Sequence, residues 1–213
     1  MKGGSMKKQL INYETLLKVT KAMSMSNRPE EVVQLTVDSV KASLEIKGFA
    51  LFLIDPTNKA LEVAASCGLS AEYLQKGPLS SIRSIGQSLT EGPVAIYDVG
   101  DDPRIQYPDA AKKEGIASIL AVPIVIGDRL IGSMRVYTAV PWEFTLNDVN
   151  FVQAVAQVVG MALEMCRINK GLKDSIDILK TMRDPRSYKS TRRTPYEGVP
   201  TSVSADEMPQ TST

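Results

Sequence analysis

Ala121-Val122-Pro123-Ile124-Val125-Ile126-Gly127-Asp128-Arg129-Leu130-Ile131-Gly132-Ser133-Met134-Arg135-Val136 is the stretch whose reading decides the fold. Two apolar, β-branched runs, 118–126 and 130–140, meet at Gly127-Asp128, which predicts a β-hairpin. Downstream, Thr145-Leu146-Asn147-Asp148 opens a long helix that runs past residue 180. Upstream, the unbroken apolar run 49–54, the turn Asp55-Pro56-Thr57-Asn58 and the strand 60–67 predict a second hairpin. Before it the period is helical. Residues 8–27 carry Leu10, Tyr13, Leu17 and Thr20 on one stripe with Ile11 and Val19 beside it. Pro29, Glu30 and Glu31 suit the first turn of another helix, and Val33, Val37, Val40 and Leu44 follow. Residues 69–115 are irregular, with helical patches at 70–76 and 81–90, a strand at 94–99 and a short helix near 109–114. The pattern predicts an α+β domain built on an antiparallel sheet.

Composition narrows the function. The chain has 213 residues, 25 Lys and Arg against 24 Asp and Glu, and 43% hydrophobic residues. One large domain, or one modest domain with appendages, fits that length. A net charge of +1 leaves no electrostatic footprint for nucleic acid or an anionic membrane. There is no histidine. That excludes a Ser-His-Asp triad, a Cys-His nucleophile pair, paired His zinc ligands and a His-held haem. Cys67 and Cys166 are too few for a four-Cys metal site and lack redox-motif spacing, so both read as inert thiols in a reducing cytoplasm. No secretory leader opens the chain, and no apolar run approaches the ~20 residues of a membrane span. Residues 1–7 read as a flexible N-terminus, with the first five a remnant ahead of a native start at Met6. From 184 to 213 there is no Leu, Ile, Phe or Trp, and four prolines and ten Ser or Thr fall there. That segment is expected to be a disordered, solubilising tail, or alternatively a docking segment around Arg192-Arg193-Thr194-Pro195.

The hairpin, the following Phe144-Thr145-Leu146-Asn147-Asp148 and the run Gly86 … Pro93 … Asp98 … Pro103-Arg104 together resemble the signature of GAF domains. The resemblance spans about residues 10–170 and puts the domain at 8–170. It implies a sensory or regulatory module, with N- and C-terminal helices packed on one face of the sheet. Short helices and loops would then cover a ligand pocket on the other face. It also implies dimerisation through the terminal helices. Cyclic-nucleotide-binding members carry Asn-Lys where this chain has Tyr137-Thr138, and Asp-Glu where it has Asp148-Val149. Bilin-binding members attach the pigment to a cysteine, commonly beside a histidine, and neither cysteine here has that setting. The free methionine sulfoxide reductases use mid-domain cysteines, and none lies between Cys67 and Cys166. No cofactor follows from the resemblance, and the ligand is an unknown small molecule.

Parity along 131–140 separates Met134, Val136 and Thr138 from Ser133, Arg135 and Tyr137. A guanidinium midway along a strand covered on both sides is costly to bury unpaired. Arg135 is therefore expected either to anchor a ligand carboxylate or phosphate or to form an internal salt bridge, with Asp98 as partner. Tyr137 and Ser133 share its face and can supply hydrogen bonds. Ser118, with Leu120, is expected on the same face, and Ser84 and Gln87 are placed to aim polar groups into the pocket beside Gly86. Asp101-Asp102 reads as a turn and cap, or else as a divalent-cation site. No metal-binding set is expected.

The last helix carries Val158, Met165, Leu172 and Leu179 at steps of seven, and Met161, Ile168, Ser175 and Met182 likewise. Such a seam argues for a coiled coil extending through 171–183, unless Asn169-Lys170-Gly171 caps the helix. Val158, Met161, Met165, Ile168, Leu172 and Leu179 are the expected homodimer contacts. The expected function is a non-catalytic, cytoplasmic, bacterial-type small-molecule sensor whose output is the terminal-helix bundle or a signalling protein partner. The alternatives are a dimerisation scaffold with a filled pocket and, behind it, an enzyme resembling the methionine sulfoxide reductases. Neither a nucleic acid nor a membrane is expected as partner.

Overall fold

The computed structural model describes residues 13–24, 26, 28–77, 79–80 and 92–183. Helices α1 (Tyr13–Ser24) and α2 (Pro29–Ser43) lead into the hairpin β1 (Gly48–Ile54) and β2 (Ala60–Cys67). A short helix α3 (Ala71–Leu74) and strand β3 (Leu79–Ser80) follow. Then come β4 (Val94–Ile96), α4 (Pro108–Lys113), the hairpin β5 (Ser118–Ile126) and β6 (Arg129–Thr138), and helix α5 (Leu146–Arg183). The strands form one antiparallel sheet in the order β3-β2-β1-β6-β5-β4. Strands β1 and β6 are therefore the central pair. Residues 13–170 hold the folded body, and 171–183 continue α5 as helix into a second unit.

The sheet separates two apolar cores. On one face, Val19 of α1, Val32, Val33, Val37 and Val40 of α2, and Val152, Val155, Ala156 and Val159 of α5 pack on Leu51, Leu120, Val122, Met134 and Val136. On the other, Tyr73, Ile96, Val99, Ala111 and Ile116 pack on Phe52, Ile119 and Tyr137. The Phe144-Thr145-Leu146-Asn147-Asp148 motif is a reciprocal helix cap. The Thr145 N–H and hydroxyl each donate to Asp148 Oδ2 at 2.9 Å, and the Asp148 N–H donates to Thr145 Oγ1 at 3.2 Å. Gly132 is required where β6 crosses β1, because a Cβ there would meet the Phe52 carbonyl oxygen at 2.2 Å.

Three sequence expectations need correction. On α1 the buried residues are Thr15 and Val19, with Leu16 and Met23 against the core, while Tyr13 and Leu17 are 78% and 69% exposed. The helix has two apolar flanks, and α2 and α5 receive the one that the heptad-like stripe leaves out. The fourth strand stops at Ile96, since Asp98 begins a turn. Helix α5 does continue through 171–183 as expected, running for 38 residues, and the alternative of a cap at Gly171 falls away. Among the described residues α5 is long and apolar enough by composition to cross a membrane, with mean hydropathy 1.4 and 44% of that window buried. No run of that kind was expected from the sequence. The flexible N-terminus expected at 1–7 and the tail expected at 184–213 fall outside the described residues.

Candidate functional site

The register around β6 builds the site. Arg135 lies between Ala50 of β1 and Ala121 of β5, and Ser133 lies between Phe52 and Pro123. Directly paired residues point to the same side of a sheet, so Arg135 projects above two side chains that end at Cβ. Small, buried side chains therefore flank Arg135 on both neighbouring strands. Arg135 is 5% exposed and its Cζ sits 4.7 Å from the centroid of the Phe52 ring. A cation over an aromatic face gains from the ring quadrupole, and more so when desolvated. Arg135 Nε and Ser133 Oγ are both buried and both lack a hydrogen-bond partner among the described residues. Tyr137 is buried beside them, its hydroxyl flanked by the Arg135 guanidinium and the Tyr73 side chain.

The lid over this face brings a second cation. Ser70 caps α3 by accepting the Tyr73 N–H at 3.1 Å. Tyr73 meets Tyr137 edge-on, with ring centroids 5.9 Å apart at 85°. Lys76 Nζ donates to the Tyr73 carbonyl at 2.9 Å and lies 3.6 Å from the centre of the Tyr73 ring. Gly77 then turns the chain at φ +132, where a Cβ would strike the Tyr107 hydroxyl at 2.6 Å, so glycine is needed there. Desolvation, with a smaller contribution from the positive charge of Arg135, lowers the Lys76 pKa to about 8, and Glu114 opposes this. Burial pushes both tyrosine hydroxyls above their ordinary range. Glu114 is engaged elsewhere. It accepts from the Ser70 N–H at 3.0 Å and from the Ser70 hydroxyl, and pairs with Lys47 at 3.7 Å. A cleft of ≈ 240 Å³ lined by Ser70, Glu72, Tyr73, Ala110, Lys113 and Glu114 opens beside this lid.

Of the residues singled out in the sequence, the structure brings Ser133, Arg135 and Tyr137 together on one buried face. Ser118 is not with them. The β5–β6 register shifts by one residue between Ile124 and Val125, pairing Ser118 with Thr138 and Leu120 with Val136. A one-residue slip reverses the face of every side chain beyond it. Ser118 instead accepts the Trp142 N–H at 2.9 Å and donates to the Tyr97 carbonyl at 2.5 Å. Asp98 is not the partner of Arg135 either. It is exposed and accepts the Gly100 N–H at 2.7 Å, and Arg135 forms no ion pair among the described residues. Ser84 and Gln87 lie outside the described residues. Asp102 accepts the Arg104 N–H at 2.9 Å and pairs with its guanidinium at 2.5 Å, which is the turn reading, whereas the helix cap is not formed by it: Tyr107 stands at the N-cap of α4. Among the described residues no group of His, Cys, Asp and Glu is arranged to hold a metal ion. The sequence reading missed Lys76 and Tyr73. The only signal for them was their i, i+3 spacing behind the capping Ser70.

The cysteines are on the wrong side for this site. Cys166 is buried in the helix-side core and Cys67 packs against it. Burial raises the Cys166 pKa, and the negative charge of Glu30 adds to the shift.

A model of the GAF domain family matches residues 28–163. No curated protein sequence matches the chain. Among solved structures, the fold is similar to a GAF domain of a phosphoenolpyruvate-protein phosphotransferase from Coxiella burnetii, at TM-score 0.66 and 18% identity, covering 75% of this chain and 96% of that one. A free methionine-R-sulfoxide reductase from Neisseria meningitidis, solved with its substrate, superposes at TM-score 0.64 and 18% identity, covering 74% and 90%. A methyl-accepting chemotaxis protein fragment gives 0.60 and 19%, covering 71% and 98%. At these identities the likenesses speak to the fold.

Proposed function

This chain belongs to the GAF domain family, and from that premise we propose that it is a non-catalytic, cytoplasmic small-molecule-binding regulatory domain. The observation that carries the reading is the pair of buried, unmatched donors on the lid side of the sheet, Ser133 Oγ and Arg135 Nε. Leaving buried donors unsatisfied costs about 1–3 kcal/mol each, more for a charged group, and a polar ligand removes that cost. Thiol chemistry finds no footing at this face, because both cysteines sit across the sheet. The output is a homodimer through Val158, Met161, Met165, Ile168, Leu172 and Leu179, or a signalling partner seated on the same helix. Apart from Val158 these residues are exposed in the single chain. A groove of ≈ 280 Å³ between the end of α1 and α5 is lined by Met23, Val158, Met161 and Met165.

Native mass spectrometry of the purified protein tests both halves. A dimer that carries a copurified small molecule is expected. A ligand-free protein that binds nothing from a metabolite extract would leave the scaffold reading instead. One observation favours that second reading: Tyr73, Phe52, Ile96 and Tyr137 already make a small apolar core on the lid side.

A further inference from the structure

We propose that Lys76 and Arg135 form a two-cation clamp for the carboxylate of a small organic ligand seated on the Phe52–Tyr137 face. The proposal rests on the ligand-binding reading above and gives that ligand a chemical class.

Four observations carry it. Arg135 is buried and forms no ion pair among the described residues; its neighbours are the Phe52 ring and the Tyr137 hydroxyl, neither of which carries a negative charge. Its Nε is buried and unmatched, and the edge formed by Nε and one terminal nitrogen has the shape to receive the two oxygens of a carboxylate. Lys76 holds the carbonyl and ring of Tyr73, which in turn meets Tyr137 edge-on beside Arg135, so the two cations share this end of the face and repel each other. Ser133 offers a third unmatched donor on the same face, two residues from Arg135 along β6. Two like charges brought together out of water are unfavourable unless an anion joins them. Glu114 offsets only part of this from a distance, its carboxylate being held by Ser70 and Lys47. The body of the ligand would lie over Ala50 and Ala121 against Phe52 and Tyr137, an apolar and aromatic floor.

The clamp implies proton uptake. Lys76 faces Tyr73 from α3, Arg135 and Tyr137 from β6, and Glu114 beyond α4. Because its ammonium is destabilised in the free protein, a bound carboxylate draws a proton onto it as pH rises past the free value.

The test is isothermal titration of the full chain with sodium benzoate, its neutral isostere benzamide, and inorganic phosphate. Benzoate is expected to bind at least about tenfold more tightly than benzamide, equivalent to about 1.4 kcal/mol. Its binding should take up protons at about pH 8.5, seen by repeating the titration in buffers of different ionisation enthalpy. Lys76→Met should abolish the uptake and weaken benzoate about tenfold without changing benzamide. Arg135→Lys should weaken it further, since the planar fork is lost. Carbon-13 dimethyl labelling of the lysines reads Lys76 directly, and its pKa should rise on adding benzoate. Equal affinity for benzoate and benzamide, or a Lys76 signal that benzoate leaves unmoved, would overturn the clamp. Preference for phosphate over benzoate would overturn the carboxylate assignment. A neutral copurified ligand would defeat the clamp alone, whereas no ligand of any kind would defeat the regulatory reading with it.

Discussion

Arg135 and Lys76 set the physical character of the site. A charged side chain is seldom buried without a partner, because desolvation removes hydration that nothing then replaces. Here Phe52 supplies part of the replacement for Arg135, and Tyr73 supplies it for Lys76. Lys76 leaves a signature in stability. Its folded-state pKa of about 8 lies below the ordinary 10.5, so between those values the unfolded chain binds more protons than the folded one. Stability from this group therefore rises as pH climbs from about 8 toward 10.5. Tyr73 and Tyr137 act oppositely. Their pKa values are raised above 10.0, so above that pH the unfolded chain loses their protons first and stability falls. The clean window for Lys76 is thus about pH 8 to 10. Urea midpoints for the wild type and Lys76→Met, compared across that window, should diverge, with the wild type gaining relative to the variant as pH rises. Parallel curves would mean that Lys76 is solvated in the folded state.

At the scale of elements, β6 was readable and the lid was not. Ser133, Arg135 and Tyr137 share a face because a strand alternates, and that rule needs only the strand's existence. Ser118 was misplaced because the inference crossed to β5, where the one-residue shift at Ile124/Val125 reverses the parity counted back from the Gly127-Asp128 turn. Nothing local in Ile124-Val125 announces a bulge. Lys76 and Tyr73 were invisible for a different reason: α3 is four residues long, too short for a period, and it is Tyr137, distant in sequence on the same face, that fixes Tyr73. Helix α5 was legible as a helix that continues to Arg183. Its heptad positions Met161 and Met165 are 63% and 64% exposed, and Leu172 and Leu179 are exposed as well, a longer apolar stripe than a solvated helix ordinarily presents. The proposed homodimer is tested by sedimentation: the wild type should run as a dimer and Met165→Glu combined with Leu172→Glu as a monomer. Far-ultraviolet circular dichroism and the core's thermal transition should change little, because neither side chain is buried in the single chain. A double variant that remains dimeric would place the interface elsewhere, for which exposed Tyr13 and Leu17 on α1 are the next surface to test.

For the folded body as a whole, the central fact is that β6 is a wall shared by two cores. Residues 133, 135 and 137 face the lid, while Met134 and Val136 face the core that α2 and α5 complete. The two faces alternate residue by residue along the same backbone, so a ligand that repositions Arg135 acts on the strand that Met134 anchors. Close-packed interiors transmit such shifts because they have little free volume to absorb them. A ligand can bias the terminal helices only by as much as it prefers one packing of this wall over another. Met134→Ala tests the route. It removes a fully buried side chain from the helix-side core and should cost about 2–4 kcal/mol. Ligand affinity should change little, since the lid-side contacts are intact. The decisive readout is hydrogen exchange in residues 152–166 with and without ligand. In the wild type, binding should alter protection there; in Met134→Ala that response should shrink while protection changes near Tyr73 persist. If both variants show the same remote response, the coupling runs instead through the hairpin's edge strands or the lid, and β6 is a floor for the ligand and nothing more.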